Sequence, residues 1–324
     1  MKTNLNFWRG GALVAGALAL TLVSGCGGGG GILSSNNQNP NQNLASTNLV
    51  ALSSNNTLSF FNARTPGNVS SRAVTGLAAG EQLIGIDYRF APLSTATTGA
   101  GLFGLVRSAS SARLVRIDTS NNGAAVTTVG SGFVLPFAGS NIGFDFNPVV
   151  DRIRVEDAAS QTNLRINPDT GALVDANGNA ADGFTPDGPL AYASGDPGSG
   201  TTPRIEGAAY TNNSVGATST VNYVIDAARG TLATQGRPAS GTNAAVSPNT
   251  GQLFTVAALS SPLTDVGGLG FDIAPTTNNA FLAYSSGGAA PRLFALDLSN
   301  AATSGGATIA LGGNRPLLGL SVLP

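Results

Sequence analysis

Three aspartates stand at the same place in three short phrases of like pattern: LIGIDYRF (83–90), NIGFDFNP (141–148) and GLGFDIAP (268–275). In each phrase Asp87, Asp145 or Asp272 follows a glycine by two residues within an apolar run. Two sister phrases, IEGAAYTN (205–212) and LLGLSVLP (317–324), carry Ala209 and Ser321 at that place. If the phrases are strands around one axis, three carboxylates converge there. Such a group could take up Ca²⁺ through its oxygens or supply the acid and base of glycoside hydrolysis. The competing reading has each Asp capping backbone N–H groups of a neighbouring loop within its own repeat. A residue recurring at one repeat position serves the repeat more often than a unique site, so the structural reading leads. No residue is assigned as catalytic, and Asp87, Asp145 and Asp272 are the candidates.

Asp175, Asn177, Asn179 and Asp182 place side-chain oxygens at near-alternate positions, as Ca²⁺ loops do. The EF-hand pattern is not met, since its sixth place is Ala180 and its twelfth is Pro186. Asn and Asp also gather in turns because they bond their own backbone. Arg152, Arg154 and Glu156 alternate with Ile153 and Val155, giving one charged and one apolar strand face, with Arg165 on the following strand. An anion-binding patch is one reading. Ion pairing with Asp151, Glu156 or Asp145 between packed sheets is preferred. Tyr88, Tyr192, Tyr210, Tyr223 and Tyr284 could stack on sugars, but gap-filling between sheets is the simpler role.

Absent residue types exclude more chemistry than these motifs propose. The 324-residue chain has no His, which removes the imidazole base, the Ser-His-Asp triad and imidazole metal ligands. One Cys excludes a thiolate metal cluster and an intramolecular disulfide. Setting aside Lys2 and Arg9 leaves 14 Arg against 17 Asp and Glu, a net of −3. There is then no Lys left for Schiff-base chemistry and no basic run for nucleic acid. The chain reads as a non-enzyme without a resident cofactor, Ca²⁺ being the one ion its carboxylates would suit.

The elements that must position these residues are short strands. The hydrophobic share is 42%, charged residues are 10%, and 44 glycines punctuate the chain, so a core is affordable while long helical periods are missing. The five glycine-bearing phrases recur roughly every 50–65 residues, the spacing of a multi-strand repeat unit. Each of the first four is followed by further strand-like runs, such as GLFGLVRS, DRIRVED, TVNYVID and AFLAYSS. The last, LLGLSVLP, ends the chain, and its missing partners NLVALSS, TLSFFNA and SRAVTGL stand at the other end. Joining the two ends predicts an all-β fold of one domain over 49–324. This is a β-propeller of five four-stranded blades closed by its C-terminal strand, which also covers the sheet edges. Six blades or a β-sandwich are the alternatives, because the turn-rich connection 177–203 has room for hidden strands or for an insertion over one face.

The stretch Asn141–Gly171 carries GFDFNP, then DRIRV, then NLRINPDTG. It resembles the bacterial family known as domain of unknown function 4394, and GAAYTNN, NYVID and GLGFDIAP extend the likeness over most of 49–324. The resemblance implies an extracytoplasmic β-rich domain and carries no catalytic residue with it.

The N-terminus supplies an address. Lys2 and Arg9 precede an apolar stretch, Gly10–Leu22, that is too short for an ordinary membrane span. Val23-Ser24-Gly25-Cys26 then resembles a bacterial lipobox. Residues 1–25 read as a lipoprotein signal peptide and Cys26 as the lipidated N-terminus, anchored by several acyl chains. Residues 26–48, rich in Gly, Asn and Gln, read as a flexible linker with a reach of roughly 25 Å. Gly27 follows the cysteine, which favours the outer membrane in a Gram-negative envelope. The expected protein is a membrane-anchored, extracytoplasmic propeller that binds or scaffolds a glycan or protein ligand. A carboxylate glycosidase or Ca²⁺-dependent hydrolase at the channel is the alternative.

Overall fold

A computed structural model describes residues 40–324 apart from Ala138 and Ala180. The expected signal peptide, residues 1–25, and Cys26 lie outside the described residues. Five antiparallel sheets form a five-bladed β-propeller. Blade I combines β1 (Asn48–Ser53), β2 (Thr57–Asn62) and β3 (Ser70–Ala73) with the C-terminal β20 (Leu317–Leu323). Blade II is β4 (Gln82–Arg89), β5 (Gly101–Arg107), β6 (Ser111–Asp118) and β7 (Ala125–Val134). Blade III has β8 (Ile142–Asn147), β9 (Arg152–Asp157) and β10 (Asn163–Ile166). Blade IV has β12 (Ile205–Tyr210), β13 (Asn222–Asp226), β14 (Thr231–Gln235) and β15 (Gln252–Ala258), with β11 (Ala191–Tyr192) added in parallel at its outer edge. Blade V is β16 (Val266–Ile273), β17 (Ala280–Ser286), β18 (Arg292–Leu296) and β19 (Thr303–Thr308).

The ring closes as the permuted strand count requires. β20 pairs antiparallel with β1 from Asn48↔Leu323 to Ser53↔Leu317. The first strand of each blade packs on that of the next, β20 on β4, β4 on β8, β8 on β12, β12 on β16 and β16 on β20. Two expectations need correction. Blades III and IV do not have four strands each: the fourth strand of blade III shrinks to a bridge between Ile166 and Leu173, and blade IV gains β11 from the 177–203 connection. The ordered unit also begins before residue 49. Asn41 is fully buried and its amide donates to Ala63 O and Leu293 O, while Leu44 joins the apolar cluster between blades V and I.

The core lies between blades. Ile84, Phe103 and Leu105 of blade II meet Phe144, Ile153 and Leu164 of blade III, and comparable clusters fill the I–II, IV–V and V–I seams. Each fully buried Leu, Ile or Phe in these seams contributes about 1.5–3 kcal/mol. The recurring glycine of the sequence phrases has one cause, close approach at the axis. A Cβ on Gly85 would come within 2.9 Å of Phe144 Cβ, and one on Gly143 within 2.7 Å of Ala208 Cβ. The series continues with Gly207 against Phe271, Gly270 against Leu320 and Gly319 against Ile86, once around the ring. The first strands are thereby drawn so near that the axial space they enclose is about 10 Å³, roughly one water.

Candidate functional site

Asp87, Asp145 and Asp272 do converge on the axis. One carboxylate oxygen from each lies within 4.8 Å of the others, the one such acidic group among the described residues. The structure departs from the expectation of capping within the repeat, because most of their bonds reach the next blade. Asp87 of blade II accepts from Phe146 N–H of blade III at 2.9 Å. Asp145 of blade III accepts from Tyr210 N–H of blade IV at 3.0 Å, and Asp272 of blade V from Val322 N–H of blade I at 2.5 Å. Ser321 of blade I completes the pattern, its Oγ accepting from Tyr88 N–H of blade II at 3.0 Å and donating to Asp87 Oδ1 at 3.0 Å. In every case the donor sits one residue beyond the Asp-equivalent place of the following blade. The gap is Ala209, which has no oxygen. There the Ile273 N–H turns to Asp272 Oδ1 of its own blade at 2.6 Å. This ring of side-chain clasps satisfies inner-edge N–H groups that no strand is free to pair.

Burial sets the electrostatics. All three carboxyls are at most 2% exposed. Desolvation pushes Asp272 up to about 7, against the pull of the Val322 and Ile273 N–H groups. Asp87 is raised well above the usual carboxylate range by burial and then by Asp272; Asp145 is raised by burial and then by Asp87 and Asp272. Three like charges crowd so small a dry space that each carboxyl is held above the ordinary carboxylate range. A hard cation with six to eight oxygen ligands fits poorly here. Three carboxylates are offered, and both oxygens of Asp87 and Asp272 are already hydrogen-bonded. An acid–base pair working on a sugar needs a cleft that reaches it, and these three carboxyls are buried.

Asp175, Asn177, Asn179 and Asp182 form an exposed turn that bonds to itself. The Asn177 and Asn179 amides both donate to Asp182 Oδ2 at 3.1 Å, while Asp175 Oδ1 accepts from Thr185 N–H at 3.1 Å. Amide nitrogens face the carboxylate where a cation would need oxygens. The charged face of β9 is paired, as preferred, but with other partners than those expected. Arg154 bonds Tyr210 Oη at 2.8 Å, Asn163 Oδ1 at 2.6 Å and Asp187 Oδ2 at 3.1 Å. Arg165 grips the same Asp187 through two bonds of 2.7 Å. Asp151 pairs instead with the buried Arg89. Asp187 belongs to the 177–203 connection and gave no motif in the sequence. The tyrosines mostly fill gaps: Tyr192, Tyr210 and Tyr284 are buried, and Tyr284 stacks on Phe294 at 5.2 Å.

The seam between blades III and IV carries a buried polar network beside the apolar Ile205, Val224 and Leu253, a larger polar set than the Arg89–Asp151 pair of the II–III seam. Arg154 crosses it to Tyr210, and Glu156 Oε1 accepts from Asn222 Nδ2 at 2.9 Å. Burial lifts Glu156 to about 7 despite the nearby Arg154. Above this seam opens a cavity of about 280 Å³ lined by Asn147, Val150, Tyr210, Asn222, Gln235 and Arg237 among others. Sequence reading missed it. The available signal was the amide at Asn222 and at Gln235, two polar residues facing each other at the ends of short strands.

A family model, described as a domain of unknown function (DUF4394), matches residues 57–320. The chain belongs to that family. The match covers all five blades of this DUF4394 protein. No curated protein matches its sequence. Among solved structures, the major Malassezia sympodialis allergen Mala s 1 is similar at 10% identity and TM-score 0.37, covering 79% of this chain and 73% of that one. The PQQ-bound aldose sugar dehydrogenase from Streptomyces coelicolor is similar at 18% identity and TM-score 0.43, over 82% and 79%. The dihydro-heme d1 dehydrogenase NirN is similar at 12% identity and TM-score 0.32, over 82% of this chain and 44% of that one.

Proposed function

We propose that this protein is a lipid-anchored, extracytoplasmic binding module whose propeller carries out no chemistry at its axis. One observation carries the reading. The carboxylates that an axial hydrolase would need are buried, held above the ordinary carboxylate range by desolvation and bonded to the backbone of neighbouring blades. The propeller is left as a rigid carrier with its usable surface on the blade faces and seams. Cys26, through the lipobox-like VSGC, supplies the anchor, and residues 27–40 supply the tether.

Fractionation of cells expressing wild type and Cys26→Ser tests the anchor: the variant moves to the soluble fraction, and retention in membranes refutes it. Adding the soluble Cys26→Ser protein back to washed envelope material tests binding by co-sedimentation. Hydrolysis of envelope glycan by wild type that vanishes in Asp145→Asn would overturn the non-catalytic reading.

A further inference from the structure

The polar seam between blades III and IV holds more polar atoms than the protein itself satisfies. Asn222 and Gln235 are cross-strand partners on β13 and β14, 2% and 1% exposed, and both line the 280 Å³ cavity. Their amide nitrogens are committed. Asn222 Nδ2 donates to Glu156 Oε1 at 2.9 Å, and Gln235 Nε2 donates to the Pro248 carbonyl at 2.7 Å. Those acceptors fix the orientation of each amide, so the two side-chain oxygens are left as acceptors, and neither has a partner within the protein. Beside them Arg237 lies over the Phe254 ring at 4.4 Å, its buried Nε–H likewise unpartnered. Two buried unpaired acceptors side by side at one cavity mark a place where stability has been given up.

The chemistry of the set selects the ligand. Two neighbouring acceptors call for two donors, and one guanidinium N–H calls for an acceptor. An anion would meet the two amide oxygens head-on. An ammonium would meet Arg237, with no Asp or Glu in the lining to offset it. A peptide adding to a sheet needs a free strand edge, but β13 and β14 are both paired on each side. Hydroxyl groups both donate and accept, and adjacent hydroxyls on one ring match adjacent cross-strand oxygens. Val149, Val150 and Val221 offer an apolar wall for the C–H face of such a ring. The volume lies just below the range of clefts for drug-sized ligands, which suits a single ring.

We propose that the cavity between blades III and IV binds a neutral sugar, a monosaccharide or the terminal unit of a glycan, through Asn222 Oδ1, Gln235 Oε1 and the Arg237 side chain. The inference rests on the binding-module reading and gives it a ligand class. The test titrates the full-length chain in mild detergent with neutral hexoses, N-acetylhexosamines and pentoses, followed by calorimetry and by ligand-observed NMR. At least one of these sugars binds, and Arg237→Met and Gln235→Met each weaken it about tenfold or more while melting within a few degrees of wild type. Removing Gln235 also removes an unpaired acceptor, so that variant has reason to stay folded. A Val215→Ser variant, altered on an exposed loop outside the cavity, binds as wild type does. Absence of binding by every sugar, or unchanged affinity in both Met variants, overturns the proposal. If Cys26→Ser still co-sediments with envelope material and Arg237→Met in that background does so equally, this cavity is not the ligand site while the binding-module reading stands.

Discussion

Replacing Ser321 with Ala tests whether the axial clasps hold the ring. Ser321 is fully buried, and its Oγ accepts from Tyr88 N–H and donates to Asp87 Oδ1, both at 3.0 Å. The substitution removes a single oxygen and strands the buried Tyr88 N–H. That loss costs about 1–3 kcal/mol, and the lost donor to Asp87 adds about 1 kcal/mol. The expected destabilisation is therefore about 2–4 kcal/mol. In a domain of this size 1 kcal/mol moves the melting temperature by about 2–4 °C, so a drop of at least about 4 °C follows. Losing the hydroxyl that bonds Asp87 also raises that carboxyl further, so the deficit widens as pH rises. Guanidinium unfolding of Ser321→Ala, Asp87→Asn and the double variant forms a cycle in which the two sites couple by about 1 kcal/mol or more. A variant within about 0.5 kcal/mol of wild type, or strict additivity in the cycle, would refute the clasp as a source of stability.

Three further outcomes follow from the same geometry. Asp272 and Glu156, both lifted to about 7 by burial, contribute stability that is complete below their unfolded values and lost as pH rises through 7. The guanidinium midpoint should therefore climb as pH falls from 8 to 5. Glu81 and Asp169, held near 2 by their Arg and Thr partners, oppose this only below about pH 4, and a flat profile between 8 and 5 would count against the buried acids. Gly207→Ala drives a methyl to 2.9 Å from Phe271 Cβ and should cost about 1–3 kcal/mol, whereas Gly67→Ala, with nothing within 4 Å, should be near neutral by thermal melting. Asp187→Ala leaves Arg154 buried without its carboxylate, at a cost of about 3–5 kcal/mol, and limited proteolysis should then cut within 174–190.

The sequence made the architecture legible because its two strongest signals are one-dimensional. Glycine recurs in the first strand of every blade, and the strand count is displaced by one from the tail to the head. The first reports the close approach at the axis and the second reports the β1–β20 pairing. The candidate aspartates were legible as a set but not in their task. Their partners are backbone N–H groups at Phe146, Tyr210 and Val322, which any residue except proline would supply and no side-chain pattern betrays. Asp187 was hidden for a related reason. It reaches Arg154 and Arg165 from a connection without periodicity, so only the path of the chain over the blade reveals it.

The two departures from regular repetition fall at one seam, and that coincidence bears on function. Blade III lacks a full fourth strand and blade IV borrows β11 from the connection between them. Ala209, the one place without a clasp oxygen, also lies in blade IV. Beside the apolar Leu190, Ile205, Val224 and Leu253, this seam holds Arg154, Glu156, Asn163 and Asn222, a larger buried polar set than the Arg89–Asp151 pair of the II–III seam. A purely structural ring gains nothing from such an exception, since a buried charged network is often no more stabilising than apolar residues of similar volume. Polar residues at a seam do provide fixed donors and acceptors on a rigid support, which a binding site requires. The glycines and aspartates of the axis make the support, and the irregular seam is where the chain departs from the demands of folding.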